Sequence, residues 1–113
     1  MKGMKNNLLN KKCLPCEGGV PSLTDAEIKN YLSQLTKQWE VSEDKKISHS
    51  FKFKTFKAAI LFVNKVADLA EKENHHPNIH LLYNKVKIVL TTHVIGGLSE
   101  NDFIMAAKIE QLL

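Results

Sequence analysis

The first regular pattern of hydrophobic positions has the spacing of an amphipathic helix. Four apolar residues recur at i, i+3, i+4 and i+7, namely Ile28, Tyr31, Leu32 and Leu35. Just before them, Thr24 and Glu27 stand at the spacing of a capping box, in which each side chain bonds the backbone of the other residue. The sequence therefore predicts a helix whose N-cap is Thr24.

A pattern of period two follows the helix and predicts strands. Residues 39–42 can form a short strand, and the polar residues 43–45 can form a turn. Beyond the turn, apolar and polar residues alternate as in a half-buried strand, with Ile47, Phe51 and Phe53 set against Ser48, Ser50 and Lys52. His49 falls on the apolar face, so we expect a partly buried, hydrogen-bonded histidine there.

A long second helix is predicted from a Thr55 cap to roughly Lys72. Its apolar residues form two stripes, one of Phe56, Ile60, Val63, Ala67 and Ala70, and one of Phe62, Val66 and Leu69. This surplus of apolar positions indicates a helix that buries more than one side, against a subunit interface as well as the core. His76 cannot continue the helix, because a residue that precedes proline is driven to extended geometry.

A second pair of strands is predicted over residues 79–83 and 85–92. Glycines at 96–97 then break the chain, and Ser99 with Asp102 has capping-box spacing at the start of a last helix. The order α-β-β-α-β-β-α favours the α+β class, as a four-stranded antiparallel sheet with helices packed on one face.

The composition is that of one soluble globular domain. The 113 residues are 43% hydrophobic and 25% charged, and residues 1–22 hold glycines and prolines without a sustained apolar period. We therefore expect an irregular N-terminal arm over 1–22 and a single domain over 23–113. The longest apolar run, 58–63, is too short to cross a bilayer, and asparagines and a lysine interrupt any apolar leader segment. A cytoplasmic protein without a membrane partner is expected.

The net charge of +4 raises the question of a nucleic-acid partner. All 16 basic residues are lysine, and none is the arginine that usually reads guanine edges and clamps phosphates. The lysines are also dispersed along the chain instead of being gathered in one block. We therefore expect a solvated lysine-rich surface and no nucleic-acid partner.

Histidines supply the candidate chemistry. His75 and His76 follow the second helix, and His93 ends the last predicted strand on the side away from its apolar stripe. Because antiparallel pairing returns the end of that strand to the start of the previous one, we expect the three rings to share a cleft. Imidazole titrates near neutrality, so one ring can accept a proton while another donates one. Glu71, one helical turn before His75, can orient a ring.

Other interpretations of these residues remain open. Adjacent histidines in a loop are often merely exposed, and His75, His76, His80 and His93 are of a type that binds zinc. Neighbouring side chains on an extended chain point to opposite sides, however, and no nearby carboxylate or thiolate completes a metal site. Cys13 and Cys16 have redox spacing, but they lie in a glycine- and proline-containing arm, which favours structural or incidental thiols.

The spaced cluster resembles the pterin-4a-carbinolamine dehydratase family. The family pattern of an acidic residue, His-His-Pro, an aromatic residue, a histidine and an aspartate is filled by Glu71, His75, His76, Pro77, Tyr83, His93 and Asp102. Segments 83–86, 91–93 and 97–100 resemble the family as well, and segment 12–19 resembles the arm of microbial and plant members. The resemblance covers nearly the whole chain beyond its first ten residues.

The resemblance implies dehydration of 4a-hydroxytetrahydropterin to quinonoid dihydropterin in tetrahydrobiopterin recycling, with no metal or organic cofactor. It implies that His75 and His93 form the acid/base pair, in an order that the motif leaves open. His76 would bind and orient the pterin, with Trp39, Glu71 and Pro77 as further substrate-binding residues. For Asp102, the capping box with Ser99 is the favoured role.

The resemblance also implies a homodimer or homotetramer, in line with the doubly apolar second helix. Some family members have aspartate directly before the two histidines, where this chain has Asn74 and therefore no negative charge. The alternative function is a non-catalytic accessory or dimerisation module that binds a protein partner. The complete set of three histidines favours the enzyme, because scaffolding has no need for titratable rings in a cleft.

Overall fold

The computed structural model of the chain describes residues 8–14 and 21–113. Within these residues the regular elements are α1 (Asp25–Leu32), β1 (Glu40–Ser42), β2 (Lys46–Lys52), α2 (Phe56–Glu73), β3 (Asn78–Leu82), β4 (Lys85–Leu90) and α3 (Glu100–Glu110). Short 3-10 turns occur at Leu8–Asn10 and His93–Ile95. The predicted order and the α+β class are confirmed.

The helices begin at the caps that the sequence predicted. The hydroxyl of Thr24 accepts a hydrogen bond from the Glu27 amide at 3.3 Å, and the Thr24 amide donates to the Glu27 carboxylate at 2.9 Å. The Thr55 hydroxyl accepts from the Ala58 amide at 3.0 Å. At its other end, α2 stops at Asn74, which has the left-handed conformation (φ 54°) that asparagine tolerates better than most residues.

The four strands form one antiparallel sheet in the order β1-β2-β4-β3. β4 ends at Leu90, two residues before the predicted end of the strand. The backbone of Thr92 leaves the ladder and pairs with Gly97 instead, and His93 begins a 3-10 turn. His93 therefore lies beyond the strand and not on it, because a pairing within the following loop ends the ladder.

One face of the sheet packs against the helices and forms the core. Side chains alternate between buried and exposed positions along β2 and β4, and the buried ones include Ile47, Phe51, Val86, Ile88 and Leu90. The ring of Phe62 on α2 lies 5.0 Å from each of the Phe51 and Phe53 rings, measured between centroids. His49 is partly buried on this face, and its Nδ1 lies 3.2 Å from the Gln38 carbonyl oxygen.

Neither apolar stripe of the second helix is buried completely, because Leu69 in one stripe is only partly buried and Phe56 in the other is exposed. Phe62 and Val66 are in the core, whereas Phe56 and Leu61 are 50% and 59% exposed on the outer side. The expected surplus of apolar surface on α2 is thus present in the single chain. Among the described residues, no helix combines the length and the apolar character that a membrane span requires.

Candidate functional site

A cleft of about 530 Å³ opens where the end of α2, the segment after β4, the start of α3 and the N-terminal arm meet. The lining residues come from these four segments, at positions 13–14, 72–76, 91–94 and 101. The sheet explains why distant segments meet here. In the antiparallel pairing of β3 with β4, Asn78 lies opposite Val89, so the chain that leaves β4 runs beside the chain that enters β3.

Three imidazoles line this cleft, and they are the three that the sequence analysis expected to share one. His75 and His76 come directly after the left-handed end of α2, and His93 starts the 3-10 turn after β4. The His75 side chain is largely buried, whereas His76 and His93 are exposed. The cleft therefore combines one firmly held ring with two that solvent or a ligand can reach.

A buried carboxylate holds the His75 ring. Nε2 of His75 lies 2.7 Å from Oδ1 of Asp102, whose side chain is fully buried. The other oxygen, Oδ2, accepts hydrogen bonds from the Thr92 hydroxyl at 2.9 Å and from the Ser99 amide at 3.0 Å. Because a carboxylate oxygen accepts the bond, the network assigns a proton to Nε2 of His75.

Asp102 thus has two roles, of which the sequence analysis favoured one. Its bond from the Ser99 amide belongs to the capping box at the start of α3, as predicted. The bond to His75, a residue 27 positions earlier, is the second role. Capping-box spacing is a local signal, and it carries no information about which residue bonds the other carboxylate oxygen.

His76 is held from the outside of the cleft. Its Nε2 lies 2.7 Å from Oε2 of Glu71, and both side chains are more than half exposed. Glu71 does not line the cleft but contacts a residue that does. An exposed pair of this kind adds little stability, so its main effect is to fix the direction of the ring.

Trp39, Pro77 and Tyr83 do not line this cleft, where Trp39 was expected as a wall and Pro77 as a substrate contact. Trp39 is buried in the core, where its indole N–H donates to Glu110 at 2.9 Å. Pro77 is partly buried and leads directly into β3. Tyr83 is 69% exposed in the turn between β3 and β4. The indole N–H of Trp39 does not face the cleft, because it is bonded to a buried carboxylate.

Glu73 and Asn101 are buried polar residues that line the cleft and that no sequence pattern predicted. Burial alone would raise the pKa of Glu73, but hydrogen bonds from Lys108 and the Cys13 amide hold that pKa below its ordinary value. Beside it, burial and the Glu73 charge raise the pKa of the Cys13 thiol to about 12. A thiol with this pKa stays protonated at neutral pH, which does not suit redox chemistry. Cys16, its partner in the redox interpretation, lies outside the described residues.

Within residues 8–14 and 21–113, no group of three histidine, cysteine, aspartate or glutamate side chains is arranged to hold a metal ion. His80, one of the four histidines named for that interpretation, is exposed in β3 opposite Lys87 and does not line the cleft.

Comparisons with known proteins agree with the resemblance. The family model described as pterin 4 alpha carbinolamine dehydratase matches residues 21–112. A protein of Alkaliphilus metalliredigens, provisionally named pterin-4-alpha-carbinolamine dehydratase, is 52% identical over 94% of this chain and 96% of its own length. The family-model match includes the sheet and the cleft residues at positions 72–76, 91–94 and 101.

Solved structures are similar in fold. The crystal structure of a transcriptional coactivator/pterin dehydratase from Brucella melitensis has a TM-score of 0.75 and 37% identity, covering 80% of this chain and 97% of that one. A pterin dehydratase-like protein described as a RuBisCO assembly factor in the alpha-carboxysome has a TM-score of 0.60 at 24% identity, covers 68% of this chain and 90% of that one, and shows the fold alone. The chain belongs to the pterin 4 alpha carbinolamine dehydratase family.

Proposed function

We propose that the chain removes water from 4a-hydroxytetrahydropterin to give quinonoid dihydropterin, with histidines as acid and base, in tetrahydrobiopterin recycling. In this elimination a ring nitrogen loses its proton and forms a double bond to the neighbouring carbon. The bond from that carbon to the hydroxyl oxygen breaks, and the hydroxyl leaves as water after it receives a proton. Family membership supports a pterin carbinolamine dehydratase activity.

The observation that carries this proposal is the cleft with three imidazoles, of which one is bonded to a buried carboxylate. The elimination needs one group that takes a proton and another that gives one at neutral pH. Histidine is the side chain whose ordinary pKa suits both roles. The reaction transfers no electrons to an external acceptor, so these groups suffice for its proton balance.

We assign the role of base to His75. Its Nε2 proton is engaged by Asp102, which leaves Nδ1 as the atom that can accept the proton of the ring nitrogen. The imidazolium that forms is stabilised by the buried carboxylate 2.7 Å away. Thr92 and Ser99 keep that carboxylate in place through its second oxygen.

The role of acid then falls to His93, which lines the same cleft from the segment after β4. It is exposed, so it can recover its proton from solvent after each turnover. His76 binds and orients the pterin ring, and Glu71 directs His76 through the bond at 2.7 Å.

The experiment is a turnover assay with synthetic 4a-hydroxytetrahydropterin, following formation of the quinonoid product above the uncatalysed rate. We expect His75→Ala and His93→Ala each to lower kcat by about a hundredfold or more, the usual scale of acid/base catalysis. His76→Ala should act mainly by raising KM.

His80→Ala is the matched control, because His80 is an exposed histidine that does not line the cleft. It should leave both constants unchanged. The proposal is wrong if the wild-type protein does not accelerate the reaction, or if His75→Ala and His93→Ala behave like His80→Ala.

We further propose that the chain acts in the cytoplasm as a homodimer or homotetramer and that α2 supplies the contact between subunits. Its outer side exposes Phe56 and Leu61, two large apolar residues on one helix. Light scattering on the purified protein tests the assembly. A charged replacement such as Leu61→Glu should reduce the mass toward that of a single chain.

The second candidate function is an accessory module that binds a protein partner. It is kept because the similar Brucella melitensis structure is titled both a transcriptional coactivator and a pterin dehydratase. A stoichiometric partner whose binding does not change in His75→Ala and His93→Ala would favour this function, whereas loss of turnover in these variants favours the enzyme.

A further inference from the structure

The described part of the N-terminal arm, residues 8–14, is attached to the domain at several points. Leu8 is buried in the hydrophobic core, and Lys11 forms an ion pair with Glu100 at the start of α3. Cys13 and Leu14 then line the cleft. Of the described residues of the arm, Cys13 and Leu14 thus form one wall of the candidate active site.

Two buried side chains hold the arm where it reaches the cleft. The Cys13 amide donates to Oε1 of Glu73 at 2.9 Å, and Lys108 donates to Oε2 of the same carboxylate at 2.6 Å. The Leu14 amide donates to Oδ1 of Asn101 at 3.0 Å, and Nδ2 of Asn101 donates to the Leu14 carbonyl at 2.6 Å. Both main-chain polar groups of Leu14 are thus bonded to one amide side chain.

These two side chains lie beside the residues assigned to the reaction. Glu73 is the last residue of α2, two positions before His75, and Asn101 directly precedes Asp102 on α3. The ends of the same two helices therefore set the positions of the arm and of the His75–Asp102 pair. Burying a carboxylate is unfavourable unless it is well paired, and here the pairing includes the arm itself.

The Leu14 side chain presents apolar surface at this wall. It is 69% exposed although its backbone is fixed from both sides, and it lines the cleft. A flat bicyclic substrate needs apolar contact as well as hydrogen bonds, and small-molecule clefts usually supply both. The cleft is lined by polar residues that include the three histidines, Glu73 and Asn101, whereas Leu14 and Val94 offer exposed apolar surface.

We propose that Leu14 is a specificity-determining residue that contacts the bound pterin, and that Glu73 and Asn101 are positioning residues that hold it there. This inference rests on the proposed function, because it names a contact for the same substrate. It assigns a role to Leu14, which lies outside the segment of residues 21–112 that the family model matches.

The test compares Leu14→Ala with Leu82→Ala. Leu82 is the matched control, because it is a leucine exposed to a similar degree (72%) that does not line this cleft. We expect Leu14→Ala to raise KM about tenfold, the scale of one to a few missing methylenes in an apolar contact, with kcat within about twofold of wild type. Leu14→Met should restore most of the affinity, and Leu82→Ala should match wild type.

The positioning role is tested with Asn101→Ala, alone and combined with Leu14→Ala. If Asn101 acts through Leu14, the double variant should have the KM of Leu14→Ala, and the two effects should not add. Thermal unfolding of each variant shows whether it is folded. Additive effects of the two changes would overturn the positioning role.

Equilibrium binding of an unreactive dihydropterin, followed by fluorescence, separates this inference from the proposed function. Absence of turnover in the wild-type protein would overturn the function, while weaker dihydropterin binding in Leu14→Ala but not in Leu82→Ala would still support the contact. If the wild-type protein turns over and Leu14→Ala keeps its KM and its dihydropterin affinity, the inference is wrong. A wild-type protein that neither turns over nor binds dihydropterin would overturn both.

Discussion

The replacement Asp102→Asn tests the network at the centre of the cleft with almost no change of shape. Three donors converge on the two oxygens of Asp102, from His75 at Oδ1 and from Thr92 and Ser99 at Oδ2. An asparagine has one oxygen and one NH₂ group in place of the two carboxylate oxygens. Its NH₂ group must therefore face a group that donates a hydrogen bond to Asp102. The Ser99 amide cannot accept a hydrogen bond, whereas a ring nitrogen of His75 can.

The asparagine should therefore keep its oxygen toward Ser99 and turn its NH₂ group toward Nε2 of His75. The opposite orientation would leave a buried backbone donor unsatisfied, at a cost of about 1–3 kcal/mol. The proton of His75 would then move to Nδ1, which is the atom that accepts the substrate proton in the proposed mechanism. Turnover should fall by about a hundredfold or more, because the ring has the wrong tautomer and its imidazolium has lost the carboxylate. The free energy of unfolding should fall by about 1.5–3 kcal/mol, the scale of a hydrogen bond to a charged group.

The assay is single-turnover dehydration across the pH range in which histidine titrates, with urea unfolding as the check on folding. Asp102 acts only through His75 in this scheme, so His75→Ala combined with Asp102→Asn should be no slower than His75→Ala alone. A folded Asp102→Asn protein with wild-type turnover would refute the assignment of the base. Additive losses in the double variant would show that Asp102 acts apart from His75.

Three further predictions concern residues that are wholly or partly buried. Glu110→Ala should lower the free energy of unfolding, measured in urea, by about 2–3 kcal/mol, because it leaves the buried Trp39 N–H without an acceptor. Glu110→Gln should lower it by about half as much. Equal losses in the two variants would contradict the role of Glu110 as that acceptor. The lowered pKa of Glu73 means that its contribution to stability is present above its ordinary pKa of 4.5 and is lost as the pH falls through the folded value. Midpoints of thermal unfolding in Glu73→Gln should therefore fall less steeply below that pH than in wild type, and parallel curves would contradict the ion pair with Lys108. Because its pKa is about 12, Cys13 should react with iodoacetamide at neutral pH more than about tenfold more slowly in the folded chain than in the unfolded chain. The rates are measured in a variant whose other cysteine is replaced by serine. Equal rates in the two states would contradict the burial of the thiol.

The features of the fold that local chemistry decides were predictable from the sequence. A capping box joins residues three apart, as with Thr24 and Glu27, and the alternation along β2 reports directly which side chains are buried. The end of β4 was not predictable in this way. The predicted strand runs to residue 92, but the observed strand stops at Leu90 because Thr92 pairs with Gly97. That pairing depends on the conformation of the whole loop, which no periodic pattern encodes.

In the candidate site too, some features were predictable from the sequence and others were not. The meeting of His75 with His93 follows from antiparallel pairing, so topology alone places both at one cleft. The position of Trp39 was not predictable, because its environment depends on Glu110, 71 positions later in the sequence. An indole with an unsatisfied N–H suits a cleft wall and an indole bonded to a buried carboxylate suits a core, and the sequence near Trp39 does not distinguish the two.

Asn74 shows how backbone geometry constrains the chemistry of the cleft. It separates Glu73, which bonds the arm and Lys108, from His75, which bonds Asp102. A left-handed residue at this point ends α2 and redirects the chain, so that residues two apart reach different partners. Asparagine and aspartate both tolerate this conformation better than most residues. The absence of a negative charge at position 74 therefore leaves the backbone turn intact, and the fixed carboxylate that contacts His75 is still supplied by Asp102 from α3.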